Sequence, residues 1–105
     1  PQKYIFFLKN AFSQHNLIAD SSFEMNSVMP LEYSMLGANT TWKSPSRGTP
    51  DLFCKCNKKQ AKISRVNVPR NPMGEQEPNT GKCYAGIFAV SHGYYREYMQ
   101  TSLAS

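Results

Sequence analysis

Cys83-Tyr84-Ala85-Gly86-Ile87-Phe88-Ala89-Val90 is the stretch on which the fold reading turns. It is small, apolar and nearly unbroken, the pattern of a strand buried on both faces rather than one alternating between core and water. Ser91-His92-Gly93 turns the chain after it. The following residues alternate, with Tyr94, Arg96, Tyr98 and Gln100 on one face and Tyr95, Glu97, Met99 and Thr101 on the other. That pattern suits a further strand, with a helix as the rival reading. Upstream, Asn71 to Gly81 holds Pro72, Gly74 and Pro78 and reads as a long loop. Val66-Asn67-Val68 reads as a short strand ended by Pro69. Asn57 to Arg65 is polar, with room for one helical turn but no helical repeat of apolar positions. Leu52-Phe53 is a short apolar return from the breaker-rich loop Ser44 to Asp51, and Thr40 to Lys43 has strand composition. Val28 to Leu36, interrupted by Pro30, reads as a loop. Phe23-Glu24-Met25 alternates in strand fashion after the turn signal Asp20-Ser21-Ser22.

Composition agrees with an all-β class. Six Tyr, six Phe and one Trp are interleaved with seven Pro and six Gly across 105 residues, which favours short strands between frequent turns. The apolar share of 40% fits neither a disordered nor a membrane-embedded chain. The net charge is +5, and a basic balance raises nucleic acid as a partner. Only Lys55, Lys58, Lys59, Lys62 and Arg65 cluster, however, and no aromatic interleaves them for base stacking. The run reads as a solvated loop, and no nucleic-acid partner is expected.

Residues 1–14 differ in kind from the rest. Lys3, the apolar Tyr4-Ile5-Phe6-Phe7-Leu8, and the small Ala11 and Ser13 before Gln14 follow the order of a secretory signal, although Lys9-Asn10 interrupts the apolar stretch. The apolar run is far below the roughly 20 residues of a membrane span. The expected division is a signal-peptide remnant over 1–14 and a β domain over 15–105. An ordinary first strand over Tyr4 to Leu8 is the other reading. A sandwich takes about seven strands and roughly five or six are found, so the domain is expected to be incomplete at its C-terminal side.

Motifs for chemistry are sparse. No Gly-x-Ser-x-Gly elbow, phosphate loop or His-Glu-x-x-His occurs, and the expectation is a non-catalytic chain. Cys54, Cys56 and Cys83 form an odd set. In an exported protein Cys83 is expected to pair with one of the other two, Cys54 being the candidate, although spacing alone does not fix connectivity. A zinc site from the three cysteines and His92 is the sharper alternative, but Cys-x-Cys is tighter than structural zinc prefers. Trp42, Tyr94 and Tyr95 are candidates for a sugar-stacking platform, against the plainer reading that they are core or half-buried sheet residues.

The order of motifs also resembles a known family. Asn16-Leu17-Ile18-Ala19-Asp20-Ser21-Ser22-Phe23-Glu24 is followed by Trp42, Gly48-Thr49-Pro50-Asp51-Leu52-Phe53, Val68-Pro69, Gly74-Glu75-Gln76, Gly81 to Ile87, and Tyr95-Arg96-Glu97-Tyr98-Met99-Gln100. The series resembles the N-terminal domain of OmpA-family and gliding-motility-associated outer-membrane proteins of Bacteroidota. The resemblance implies a jelly-roll, galactose-binding-like sandwich, further strands beyond Leu103, and a place in the periplasm, outer membrane or cell surface. Related carbohydrate-binding sandwiches imply Glu24 as a ligand to a structural calcium, an oxygen donor for a hard cation. Two positions depart from the pattern: Asp20 stands where Asn is usual, and Met29 precedes Pro30 where a cysteine is often found.

Together these readings give a non-enzymatic envelope module that binds glycan or envelope partners. The alternatives are a structural spacer of an outer-membrane protein and an accessory domain of a glycan-active enzyme. The sequence leaves the oligomeric state open.

Overall fold

The computed structural model describes residues 17–88 and 96–103. Over these residues the chain is a small β-rich domain with little helix. β1 (Asp51–Cys54) and β4 (Cys83–Gly86) form an antiparallel pair, with Asp51 opposite Gly86 and Cys54 opposite Cys83. β2 (Arg70–Asn71) and β3 (Gly74–Glu75) form a short hairpin. Pro72 and Met73 make its turn, and Gly74 at φ +135° takes a backbone conformation that other residues rarely adopt. Isolated antiparallel bridges join Ile18 to Leu103, Asn26 to Asn39 and Lys43 to Gln100.

β1 is the buried strand. All four of its residues are buried, and its alternating side chains feed two different cores. Leu52 and Cys54 join Phe23, Leu36, Trp42 and Cys83 on one face, while Phe53 joins Val66 and Val68 on the other, with Tyr33 and Tyr84 packed alongside. Period-two alternation makes this possible from only four residues. The loop Ser44 to Pro50 delivers the chain into this slot, and Pro50 is itself buried.

The two-faced burial expected of Cys83 to Val90 therefore belongs to β1. β4 ends at Gly86; only Cys83 is buried, and Ile87 and Phe88 are exposed. Ala89 and Val90 lie outside the described residues. Gly86 is required where it stands, since a Cβ there would come within 2.9 Å of the Phe53 ring.

Asn57 to Arg65 does hold one helical turn, α1 (Lys58–Ala61). Asn57 starts it with a reciprocal cap: its Oδ1 accepts from the Gln60 N–H, and Gln60 Oε1 accepts from the Asn57 N–H. Val66 and Val68 are buried as a strand would bury them but lie in no ladder; the Val66 carbonyl accepts from the Cys54 N–H at 3.1 Å. Residues 96–103 carry bridges and no helix.

Candidate functional site

Phe23-Glu24-Met25 is not a strand, and Asp20 explains why. Its buried carboxylate accepts the N–H of Glu24 at Oδ1 (2.8 Å) and the N–H of Met25 at Oδ2 (2.9 Å). Those amides are thereby taken from any ladder, as short acidic side chains do when they compete for nearby backbone. The loop so formed puts Phe23 at φ +61°, a conformation costing a non-glycine residue about 1–2 kcal/mol. Burial of the Phe23 ring, stacked on Trp42 at 4.8 Å between centroids, offsets that cost.

The knot continues inward. Asn39 Nδ2 donates to Asp20 Oδ2 (2.7 Å) and to Asn26 Oδ1 (2.8 Å), while Asn39 Oδ1 accepts from the N–H groups of Thr41 and Trp42. Trp42 Nε1 donates to the Asp20 carbonyl at 2.7 Å. Asn26 Nδ2 donates to the Phe23 carbonyl and reaches Cys54 Sγ at 3.6 Å and Cys83 Sγ at 3.5 Å. These two cysteines are bonded to each other across the β1–β4 pair, and Cys56 is the free thiol, with its Sγ 3.2 Å from Asn67 Oδ1. One connected polar network thus runs from the indole through Asp20, Asn39 and Asn26 to the disulfide. Satisfied networks of this kind fix a single arrangement of the chain around them.

Glu24 lies on the outer side of the same loop. Its Oε2 accepts from the N–H groups of Lys82 (3.0 Å) and Cys83 (2.8 Å), holding the entry of β4. Gly81, at φ +68°, gives the carboxylate its space: a Cβ there would meet Glu24 Cδ and Oε2 at 2.7 Å. Two converging amide hydrogens suit the carboxylate anion, and they tie Glu24 to the backbone at the start of β4. Among the described residues no group of three or more His, Cys, Asp or Glu is placed to hold a metal.

Trp42 takes the plainer of its two readings, a core position. With 5% of its surface exposed and its indole committed to Phe23 and Asp20, it offers no face to a sugar. Tyr94 and Tyr95, its expected companions, lie outside the described residues, as do His92 and the 1–14 segment. Of the other aromatics, Phe53 stacks on Tyr84 at 4.9 Å, and burial raises the Tyr84 hydroxyl above the ordinary tyrosine pKa, partly countered by a hydrogen bond from Asn71.

Two surface depressions flank the loop. One, of about 190 Å³, is lined by Phe23, Tyr84 and Ala85 together with the polar Ser21, Asn79 and Thr80. The other, of about 260 Å³, lies over the disulfide between Val28, Met29, Lys55 and Lys82. Neither was visible in the sequence, because each joins loops far apart along the chain. Among the described residues no helix is long and apolar enough to cross a membrane. No protein-family model, curated protein or solved structure matches the chain.

Proposed function

We propose that this chain is a non-catalytic β module of an exported envelope protein and serves as a structural spacer within it. The observation that carries the reading is the commitment of its polar core. The buried carboxylates of Asp20 and Asp51 and the buried amide of Asn39 are all hydrogen-bonded within the fold, and Trp42 is buried with them. Groups so engaged hold a shape and are not poised for proton transfer or nucleophilic attack. The Cys54–Cys83 bond supports an oxidising compartment. The jelly-roll architecture and the Bacteroidota OmpA-family kinship belong to this reading as proposals. The antiparallel bridges from Lys43 to Gln100 and from Ile18 to Leu103 support the former, since they return the last described segment beside the first.

A glycan-binding role is the second reading, favoured by the depression lined in part by Ser21, Asn79 and Thr80. A glycan array separates the two. The spacer reading expects flat binding. Capture of one sugar class, abolished by Asn79→Ala with thermal unfolding unchanged, would overturn it in favour of the glycan module. Export is tested by thiol titration of chain recovered from the periplasm of an expression host. One reactive thiol, that of Cys56, is expected; three would remove the oxidising compartment from the reading.

A further inference from the structure

All seven Asp and Glu side chains of this protein fall within the described residues; Glu77 is exposed and forms no ion pair among those residues, and the other six are engaged as follows. Asp20 and Asp51 are buried on backbone N–H groups, Glu24 holds the start of β4, and Glu97 accepts from the Phe88 N–H. Glu32 pairs with Arg65 and Glu75 with Arg70. Both ion pairs use arginine. Lys55, Lys58, Lys59, Lys62 and Lys82 are exposed, and among the described residues none of them makes an ion pair.

Lys55 and Lys82 are neighbours across the β1–β4 pair, the Lys55 N–H donating to the Lys82 carbonyl at 2.9 Å. They line the 260 Å³ depression together with Val28 and Met29, exposed by 54% and 39%, and with Glu24, whose carboxylate is taken by the Lys82 and Cys83 N–H groups and not by an ammonium group. Lys58, Lys59 and Lys62 follow on α1 and its C-cap, and Ile63, next in the chain, is 69% exposed. Unneutralised ammonium groups beside exposed aliphatic side chains fit a surface that is anionic outside and apolar beneath. A single-stranded nucleic acid would instead be met by base-stacking aromatic faces, and neither this depression nor the 55–63 segment has an aromatic residue; a polyanion without an apolar layer would leave Val28 and Met29 unused.

We propose that the Lys55, Lys82, Val28, Met29 face, extended by Lys58, Lys59 and Lys62, docks this domain on the surface of an anionic phospholipid bilayer. The ammonium groups meet headgroup phosphates while Val28 and Met29 enter the interfacial region. This goes beyond the spacer reading and stands whichever compartment holds the protein.

The test is co-sedimentation of the disulfide-bonded chain with vesicles of phosphatidylglycerol and phosphatidylcholine, against vesicles of phosphatidylcholine alone. Binding is expected to the anionic vesicles only, and to weaken as salt shortens the range of the surface potential. Each lysine of the patch is expected to contribute about fivefold in partitioning, so the Lys55→Gln, Lys82→Gln double variant loses roughly 25-fold. Lys43→Gln, which removes the same charge from the segment bridged to Gln100, is expected to change binding little. Val28→Ser with Met29→Ser weakens binding without altering its salt dependence. Equal losses for Lys43→Gln and Lys55→Gln would overturn the proposal, leaving only net charge. So would equal binding to neutral vesicles. Release from the vesicles by a soluble acidic polysaccharide, with the Val28, Met29 variant indifferent, would replace the membrane with a polyanion.

Discussion

Replacing Gly81 by Ala tests whether the Glu24 carboxylate truly holds β4. Two costs are expected. The first is local: at φ +68° an L side chain costs about 1 kcal/mol or somewhat more. The second is remote in sequence, because the new Cβ would lie 2.7 Å from Glu24 Cδ and Oε2 and must displace the carboxylate. That breaks its hydrogen bonds to Lys82 and Cys83, which at a half-exposed site are worth about 1 kcal/mol each, below the range for buried charged pairs. Gly81→Ala is thus expected to cost about 3 kcal/mol, and Glu24→Ala, which loses the same two bonds, about 2. Because the second cost is shared, the double variant should cost about 3 kcal/mol, not 5, a coupling of about 2 kcal/mol. Urea unfolding followed by fluorescence of Trp42, the single tryptophan, measures all three. Additive costs within about 0.5 kcal/mol would refute the reasoning, since the carboxylate would then have moved aside without losing anything.

Further outcomes follow from the same contacts. Cys54→Ser with Cys83→Ser frees chain crosslinked over a separation of 29 residues; a loss of about 3.5 kcal/mol is expected, measured by urea midpoint, while Cys56→Ser leaves the midpoint unchanged. Trp42→Phe keeps the stack on Phe23 but leaves the Asp20 carbonyl without its indole donor, and is expected to cost about 1–3 kcal/mol, measured by urea unfolding followed by circular dichroism since the variant has no tryptophan. Burial raises the Tyr84 pKa in the folded chain. Its contribution to stability is therefore full below the unfolded value near 10 and is lost as pH rises through the raised folded value. Tyr84→Phe is expected to flatten the alkaline limb of a denaturation curve and leave the neutral plateau in place.

Local signals carried the parts of the fold that local chemistry decides. The breakers Ser44 to Asp51, the single helical turn after Asn57 and the strand start at Cys83-Tyr84 are all legible in the chain, because turn formers, caps and β-formers act over a few residues. The errors fall where one distant side chain overrides a pattern. Phe23-Glu24-Met25 alternates like a strand, yet the Asp20 carboxylate takes two of its amides. The run from Cys83 looks doubly buried, yet β1, with a less conspicuous sequence, fills the slot between two cores. Trp42 reads from sequence as a core residue with a cleft position as the rival, and its hydrogen bond to Asp20, far away in the chain, decides for the core. The lysine and aliphatic face was legible only in part: the basic run was plain, but Lys82, Val28 and Met29 join it through the fold alone.

The bridge between Ile18 and Leu103 has a mechanical consequence for a spacer. Tension applied through these two residues enters and leaves at one place and peels their contact open instead of shearing a sheet. Once peeled, the chain can lengthen only outside the crosslink. The 29-residue separation between Cys54 and Cys83, at about 3.5 Å per residue, withholds roughly 100 Å of contour from extension. Pulled as part of a longer protein, the domain would yield early at its ends and then stop short at the disulfide, with the loop from Cys54 to Cys83, which holds α1 and the β2–β3 hairpin, shielded from the load.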